Sequence, residues 1–325
     1  MSHSAEQVLK KIETYSGSNP KPDDHAEYWD AALAEMNAID PQVEIVPADF
    51  QAPYANCSHL TFTGVGGERI HAKLLQPIEK PAEPRPAVLF FHGYTGSSGD
   101  WFKRLPYVAA GFTVAALDCR GQGGLSQELG GAIGNTLNGH IIRGLADALD
   151  GRPEKLLFRQ IFLDTAQLAK IVMDMPDVDE NRVGASGASQ GGALVISCAA
   201  LEPRIKLAAP IYPYLCDYLQ VWEMGLAANG YGELIDWFRM FDPQHKQKAQ
   251  VFENLGYIDV LHLAERVQAK TKWFVGLADD ICPPTSQFAA YNLIPAGKSL
   301  ELYPDFAHED LPGSTDIAFD FMMGL

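Results

Sequence analysis

The sequence predicts an α/β fold with one mostly parallel, doubly wound sheet that helices cover on both faces. Its 325 residues, 47% of them hydrophobic, are enough to bury one large core. Short, continuous apolar runs alternate with longer segments of helical or loop character, which is typical of parallel strands buried on both faces. We therefore predict a single domain over residues 1–325, with an N-terminal arm and two insertions.

The first 50 residues are expected to form a helical N-terminal arm, because Trp29, Leu33 and Met36 recur at helical spacing. The alternating pattern of residues 58–75, interrupted by a glycine-rich turn, predicts an antiparallel hairpin. Six apolar runs then predict the parallel strands, at residues 87–91, 112–117, 182–186, 207–211, 272–277 and 299–303.

Two connections between the predicted strands are too long for simple crossovers. Residues 123–157 are glycine-rich and predict a loop insertion, whereas residues 212–266 carry helical patterning. Insertions near strand ends in open α/β sheets border the active site. We expect these two segments to lie beside it.

The charge of the chain argues against two classes of partner. Its 25 basic and 41 acidic residues give a formal net charge of −16 without a basic stripe, which repels phosphate backbones and anionic lipids. Neither nucleic acid nor a membrane is expected as a partner.

The first twenty residues are polar and no apolar run approaches a membrane span, so we expect a cytoplasmic location. The five widely spaced cysteines are expected to be free thiols.

One serine is distinguished by glycine at both the second position before it and the second position after it. Of fourteen serines only Ser189 has these neighbours, in Gly187-Ala188-Ser189-Gln190-Gly191. The motif follows the run at residues 182–186 and precedes a helix of small residues, which is the layout of a nucleophile elbow. Glycines remove collisions at this tight turn, and the helix start offers free N–H groups. The sequence thus predicts an α/β-hydrolase fold with Ser189 as nucleophile.

A serine nucleophile needs a histidine base, which a carboxylate orients. In this fold both partners follow the serine along the chain, in loops after later strands. Of the three histidines after Ser189, His245 and His262 lie in the helical insertion, whereas His308 follows the last apolar run. His308 is therefore the predicted base.

Two adjacent aspartates after the strand at residues 272–277 are candidates for the orienting acid. Asp279 is favoured because it comes two residues after the strand ends, and Asp280 is the alternative. Asp305 and Glu309 are weaker candidates, since residues so close along the chain approach the ring of His308 poorly.

The second half of an oxyanion hole is expected in the loop after the first parallel strand, Phe91-His92-Gly93-Tyr94. The predicted donors are the backbone N–H groups of Tyr94 and Gln190. His92 has no second histidine or carboxylate at ligand spacing, so we predict a packing and hydrogen-bonding role for it. Neither a metal nor a cofactor is expected.

The assembled motifs resemble those of the acetyl xylan esterase and cephalosporin C deacetylase family of carbohydrate esterases. They are Arg120-Gly121-Gln122, Gly187-Ala188-Ser189-Gln190-Gly191 and His308-Glu309, joined by Phe91-His92-Gly93-Tyr94, Tyr212-Pro213-Tyr214-Leu215, Gly276-Leu277-Ala278-Asp279 and Phe288-Ala289-Ala290-Tyr291-Asn292. The resemblance spans most of the chain. The chain departs from the family pattern at residues 123–157 and 222–240.

The resemblance implies a role for each predicted site residue. The nucleophile would be Ser189, the base His308, the acid Asp279 rather than Asp280, and the oxyanion donors Tyr94 and Gln190. Arg120 and Gln122 are expected to brace loops near the site. The family further implies removal of acetyl groups from short acetylated xylo-oligosaccharides and related small esters, including cephalosporin C. It also implies an intracellular homo-oligomer, commonly a hexamer.

Other interpretations of the same residues stay open at this point. The elbow motif also suits a tightly packed turn or a phosphate-holding loop, although the Gly-x-Gly-x-x-Gly order of nucleotide sites is missing. A serine peptidase or a general esterase uses the same three catalytic residues. A catalytically silent binding module of the same fold is the third possibility.

Overall fold

The computed structural model describes residues 9–10, 12–134, 137–226 and 229–325. Residues 1–8 and 11 of the predicted arm, and two residues of each predicted insertion, lie outside the described residues. The strands are β1 Glu44–Pro47, β2 Ala55–Thr63, β3 Arg69–Pro77, β4 Arg85–Phe91, β5 Thr113–Leu117, β6 Val178–Ala188, β7 Leu207–Ile211, β8 Lys270–Gly276 and β9 Lys298–Tyr303. They form one sheet in the order β1-β2-β3-β5-β4-β6-β7-β8-β9.

The sheet is antiparallel at one end and parallel over the remainder. β1, β2, β3 and β5 pair antiparallel, and the strands from β5 through β4 to β9 pair parallel. The predicted hairpin and the six parallel strands are therefore confirmed. β1 was not predicted, because its four residues are all exposed and show no burial pattern that distinguishes a strand from the end of a helical arm.

Helices lie on both faces of the sheet, as the apolar strands predicted. They are α1 His25–Asn37, α2 Leu105–Ala109, α3 Leu145–Leu149, α4 Leu157–Met173, α5 Gln190–Leu201, α6 Tyr218–Glu223, α7 Gly232–Phe241, α8 Lys248–Leu255, α9 Val260–Leu263, α10 Pro284–Leu293 and α11 Ser314–Met322. The larger apolar core includes residues of α1, α4 and α5, and the smaller core on the other face includes residues of α2 and α11. Burial on both faces explains why the strand sequences are continuously apolar.

The N-terminal segment packs against the second insertion. Trp29 of α1 is completely buried, and its Nε1 donates to the carbonyl of Tyr257 at 3.0 Å. Asp217, just before α6, accepts hydrogen bonds from the backbone N–H of Asn19 at 2.9 Å and of Ser18 at 3.1 Å. These contacts hold the N-terminal segment against the second insertion.

The state of the cysteines and the length of the helices can be compared with the expectations from the sequence. All five cysteines are free and buried. Within the described ranges, no helix combines the length and the apolarity that crossing a membrane requires.

The strand order places a crevice at the carboxyl end of β4. This strand lies between β5 and β6, so the chain leaves it toward one side of the sheet and returns to the other. Open α/β sheets bind ligands at such a switch point. Phe91 at the end of β4 pairs with Gly187 near the end of β6, which brings the predicted elbow and the predicted oxyanion loop together.

Candidate active site

The turn between β6 and α5 holds Ser189 in a strained conformation. Its φ is 59° and its ψ is −122°, a region that residues with a side chain rarely adopt. A Cβ at Gly187 would lie 2.6 Å from the carbonyl oxygen of Phe91, and one at Gly191 only 2.2 Å from it. Both glycines are therefore required by the close approach of β4, as the sequence predicted.

A chain of hydrogen bonds connects the three residues predicted as nucleophile, base and acid. His308 Nε2 lies 3.0 Å from Ser189 Oγ, and His308 Nδ1 lies 2.8 Å from Asp279 Oδ2. With a neutral imidazole, the Nδ1–H donates to the carboxylate and Nε2 accepts the serine proton. This arrangement can activate a hydroxyl.

Asp279 and Asp280 have different environments. Asp279 is 4% exposed, and its Oδ1 accepts from the backbone N–H groups of Ile281 at 2.9 Å and Cys282 at 2.8 Å, whereas Asp280 is exposed. The backbone bonds hold one carboxylate oxygen and leave the other for the imidazole. The structure therefore brings Asp279 to His308.

The loop that carries His308 lies directly on the loop that carries Asp279. The backbone N–H of Ala278 donates to the carbonyl of Phe306 at 3.0 Å. A Cβ at Gly276, the last residue of β8, would lie 2.4 Å from that same carbonyl oxygen. A residue without a side chain at this position thus lets the two loops meet.

The segments that carry the two predicted oxyanion donors meet at the nucleophile. A Cβ at Gly93 would lie 3.9 Å from Ser189 Cβ, so the loop after β4 reaches the elbow. Within the part of the chain that the structure describes, the backbone N–H groups of Tyr94 and Gln190 have no hydrogen-bond partner. Free backbone donors beside a nucleophile can stabilise a developing oxyanion.

Gln122 links the two segments that carry these donors. Its Nε2 donates to the side-chain oxygen of Gln190 at 2.8 Å, and its Oε1 accepts from the backbone N–H of Thr95 at 2.9 Å. Both bonds belong to buried or half-buried groups, so the bracing role expected for Gln122 fits its contacts.

Arg120 and His92 make structural contacts. Arg120 is completely buried and bonds both oxygens of Asp164, at 2.6 and 2.8 Å, and Glu68 at 2.8 Å. His92 Nδ1 lies 2.8 Å from the carbonyl of Gly93, and its Nε2 accepts from the backbone N–H of Cys119 at 2.9 Å. Burial lowers the pKa of His92, which favours the neutral ring that this pattern requires.

Glu233 is a residue of the site that the sequence did not reveal. It is 6% exposed, accepts from the hydroxyl of Tyr94, and binds the backbone N–H groups of Gly139 at 2.9 Å and Ile141 at 2.8 Å. Burial raises the pKa of its carboxyl group, and burial together with Glu233 raises the pKa of Tyr94. One carboxylate thereby joins the oxyanion loop to both insertions. A single glutamate in an amphipathic helix gives no signal of such a role.

Cys282 also lies at the site without having been predicted there. Its thiol is buried beside the hydroxyl of Ser189, and burial raises the pKa of the thiol. Asp279, Cys282 and His308 present potential metal-ligand atoms within 4.8 Å of one another. Asp279 and His308 already bind each other, so a cation held there would compete with that bond.

A cavity of about 910 Å³ opens beside Tyr94, between the two insertions. Leu137 and Ile142 of the first insertion line one side, and Glu233 and Met240 of the second insertion line the other. Both insertions therefore border the site, as predicted from their positions after strand ends.

Comparison with known proteins gives consistent matches. The family model described as acetyl xylan esterase (AXE1) matches residues 3–325. Acetyl xylan esterase 1 from Thermoanaerobacterium sp. JW/SL YS485 is 53% identical with a TM-score of 0.92, covering 97% of this chain and 98% of that one. The acetyl xylan esterase from Paenibacillus sp. R4 is 30% identical with a TM-score of 0.88, covering 97% and 99%. These similarities confirm the predicted α/β-hydrolase fold.

A curated relative matches over a shorter range. Acetyl esterase Axe7A of Xylanibacter ruminicola is 28% identical over 171 residues, which are 53% of this chain. The matched part spans only 36% of that relative's length.

Proposed function

This chain belongs to the acetyl xylan esterase family, and from that premise we propose that it is a serine esterase that removes acetyl groups from acetylated xylo-oligosaccharides. The observation that carries the proposal is the hydrogen-bond chain from Ser189 Oγ through His308 to Asp279, with distances of 3.0 and 2.8 Å. A serine, a histidine and a buried carboxylate in this order constitute the machinery of acyl transfer.

The first half of the reaction forms an acetyl-enzyme. Ser189 Oγ attacks the acetyl carbonyl carbon while His308 Nε2 accepts the hydroxyl proton. The bond between the carbonyl carbon and the sugar oxygen then breaks, and the alcohol leaves with the proton from His308. Asp279 stabilises the imidazolium that exists between these two steps.

The second half releases acetate. Water gives a proton to His308 and attacks the acetyl carbon, and the bond to Ser189 Oγ breaks as the serine regains its proton. The N–H groups of Tyr94 and Gln190 donate to the oxyanion in both halves. This mechanism requires no cofactor.

The remaining expectations extend the proposal. Hydrolysis of the acetyl ester of cephalosporin C follows from the resemblance drawn from the motifs. A cytoplasmic location and a homo-oligomeric, commonly hexameric assembly stay predictions, as does the absence of nucleic-acid and membrane partners.

The decisive experiment replaces the nucleophile. Ser189→Ala is expected to lower hydrolysis of 4-nitrophenyl acetate by about 10⁴-fold or more, because the attacking oxygen is lost. A fluorophosphonate should label the wild-type protein at Ser189 and leave the variant unlabelled. Near-full activity of the variant would overturn the mechanism, and an unlabelled, inactive wild-type protein would instead favour the silent binding module.

A substrate series tests the acyl preference. We expect rates to fall from acetate through butyrate to octanoate esters, and an aminoacyl anilide to be hydrolysed far more slowly than the acetate. The highest rate on octanoate would identify a general esterase, and the highest rate on the anilide a peptidase.

A further inference from the structure

A second cavity, of about 360 Å³, borders the elbow and is lined by two positively charged side chains. Its wall includes Ala188, directly before Ser189, and Gly93, directly before Tyr94. Lys103 and Arg104 line it from the turn that precedes α2, and Asp310 lines it from the loop after His308. The cavity is distinct from the one between the two insertions, since the two share no lining residue.

Arg104 has no anionic partner in this cavity. Its guanidinium lies 4.1 Å from the ring centroid of Phe90, and its Nε is buried without a hydrogen-bond partner. Among the described residues, no carboxylate lies within ion-pair distance of Arg104 or Lys103. Burial lowers the pKa of Arg104 to about 10, which leaves the group charged at neutral pH.

An unpaired, partly buried cation is unexpected in this chain. Acidic residues outnumber basic ones by 41 to 25, so carboxylate partners are abundant. Removing a cation from water without a partner costs free energy, and that cost is recovered when an anion with matching geometry binds. A guanidinium offers a planar pair of donors that suits a carboxylate.

We propose that this cavity binds a carboxylate during turnover, with Arg104 as its main donor and Lys103 adding positive charge. The carboxylate is either an acid group on the alcohol part of the acetyl ester or the acetate that the reaction releases. Asp310 weakens the binding by repulsion and restricts the cavity to one anionic group. The inference rests on the proposed esterase function and deepens it by naming an anionic substrate or product.

Two aryl acetates test the proposal, 4-acetoxybenzoate with a free carboxylate and its neutral methyl ester. The preference for the acid, as the ratio of the two kcat/KM values, is expected to fall about ten-fold in Arg104→Met, because a charge-assisted hydrogen bond is lost. It should recover in part in Arg104→Lys and rise in Asp310→Asn. Arg152→Met, which removes an exposed arginine 53% accessible at its side chain, is the control of equal charge and should leave the ratio unchanged.

Inhibition by acetate separates the two sources of the carboxylate. If Arg104→Met weakens acetate inhibition about ten-fold and leaves the ratio unchanged, the cavity holds the product. If only the ratio falls, the cavity holds an acid group of the substrate. An unchanged ratio together with unchanged inhibition would overturn the proposal.

Calorimetry keeps this test independent of the chemistry. Binding of 4-acetoxybenzoate to the Ser189→Ala protein is expected to weaken about ten-fold when Arg104→Met is added. Equal binding by the two proteins, for 4-acetoxybenzoate and for acetate alike, would refute the carboxylate site even if Ser189 is the nucleophile. Weakened binding would support the site even if the proposed mechanism fails. Circular dichroism of each variant verifies that it is folded.

Discussion

His308 Nδ1 lies 2.8 Å from Asp279 Oδ2, although 29 residues separate them, while the neighbouring Asp280 is exposed. The two aspartates therefore form a matched pair for mutation. Asp279→Asn is expected to lower kcat by about 10⁴-fold, since an amide cannot stabilise the imidazolium or hold the required tautomer.

Asp280→Asn is the control for this experiment and should change kcat by less than about two-fold, because surface substitutions rarely matter. Steady-state hydrolysis of 4-nitrophenyl acetate measures both variants. The assignment is wrong if Asp280→Asn is the more damaging change.

The glycine after the nucleophile gives a second prediction. In Gly191→Ala the new Cβ would lie 2.2 Å from the carbonyl oxygen of Phe91, so β4 or the elbow must move. We expect a stability loss of about 2–4 kcal/mol together with a large loss of activity. Urea unfolding and ester hydrolysis measure the two effects.

Gly232 at the start of α7 is the matched control, because a Cβ there meets no atom within 4 Å. Gly232→Ala should be neutral or should stabilise the protein by up to about 1 kcal/mol. Equal behaviour of the two alanine variants would contradict the steric argument.

The carboxylate of Glu233 is expected to position the oxyanion loop through the hydroxyl of Tyr94. Glu233→Gln and Tyr94→Phe should each lower kcat about ten-fold with little change in KM, because an oxyanion donor acts in the transition state. The double variant should be no worse than the more damaged single variant, since both changes act on the bond between Tyr94 and Glu233. A rise in KM at constant kcat, or additive losses, would indicate independent roles.

Buried histidines predict how stability depends on pH. Burial lowers the pKa of His262 to about 4 and the pKa of His25 to about 3. Because these pKa values lie below the ordinary 6.5, the stability from the neutral rings is complete above pH 6.5. It is lost progressively as the pH falls from 6.5 to the lowered pKa, about 4 for His262 and about 3 for His25. For His262 the loss at pH 4.5 is about 2.5 kcal/mol.

His262→Gln should therefore lose less unfolding free energy than the wild-type protein between pH 7 and pH 4.5. Urea titrations at the two pH values measure this difference. His245→Gln, which changes an exposed ring, should keep the wild-type dependence. If His262→Gln and the wild-type protein lose the same amount, His262 is not the acid-sensitive group.

The parallel strands could be predicted from the sequence, but the exposed strand β1 could not. Apolar runs predicted the parallel strands, because burial on both faces of a sheet demands apolar side chains all along a strand. The same reasoning could not identify β1, whose residues are exposed and whose pairing with β2 is a contact between backbones. Pairing of that kind depends on which segment lies alongside, and an exposed sequence does not record it.

At the site, the sequence by itself determined two features. The elbow around Ser189 follows from the few residues on either side of the serine, and the order of nucleophile, acid and base follows from the order of the strands along the chain. Only the tertiary structure decided which aspartate faces His308, that Glu233 holds Tyr94, and that Arg104 lines a cavity without an anionic partner. Each of these contacts joins segments far apart along the chain. Their distances depend on how the insertions and loops pack, which no local pattern encodes.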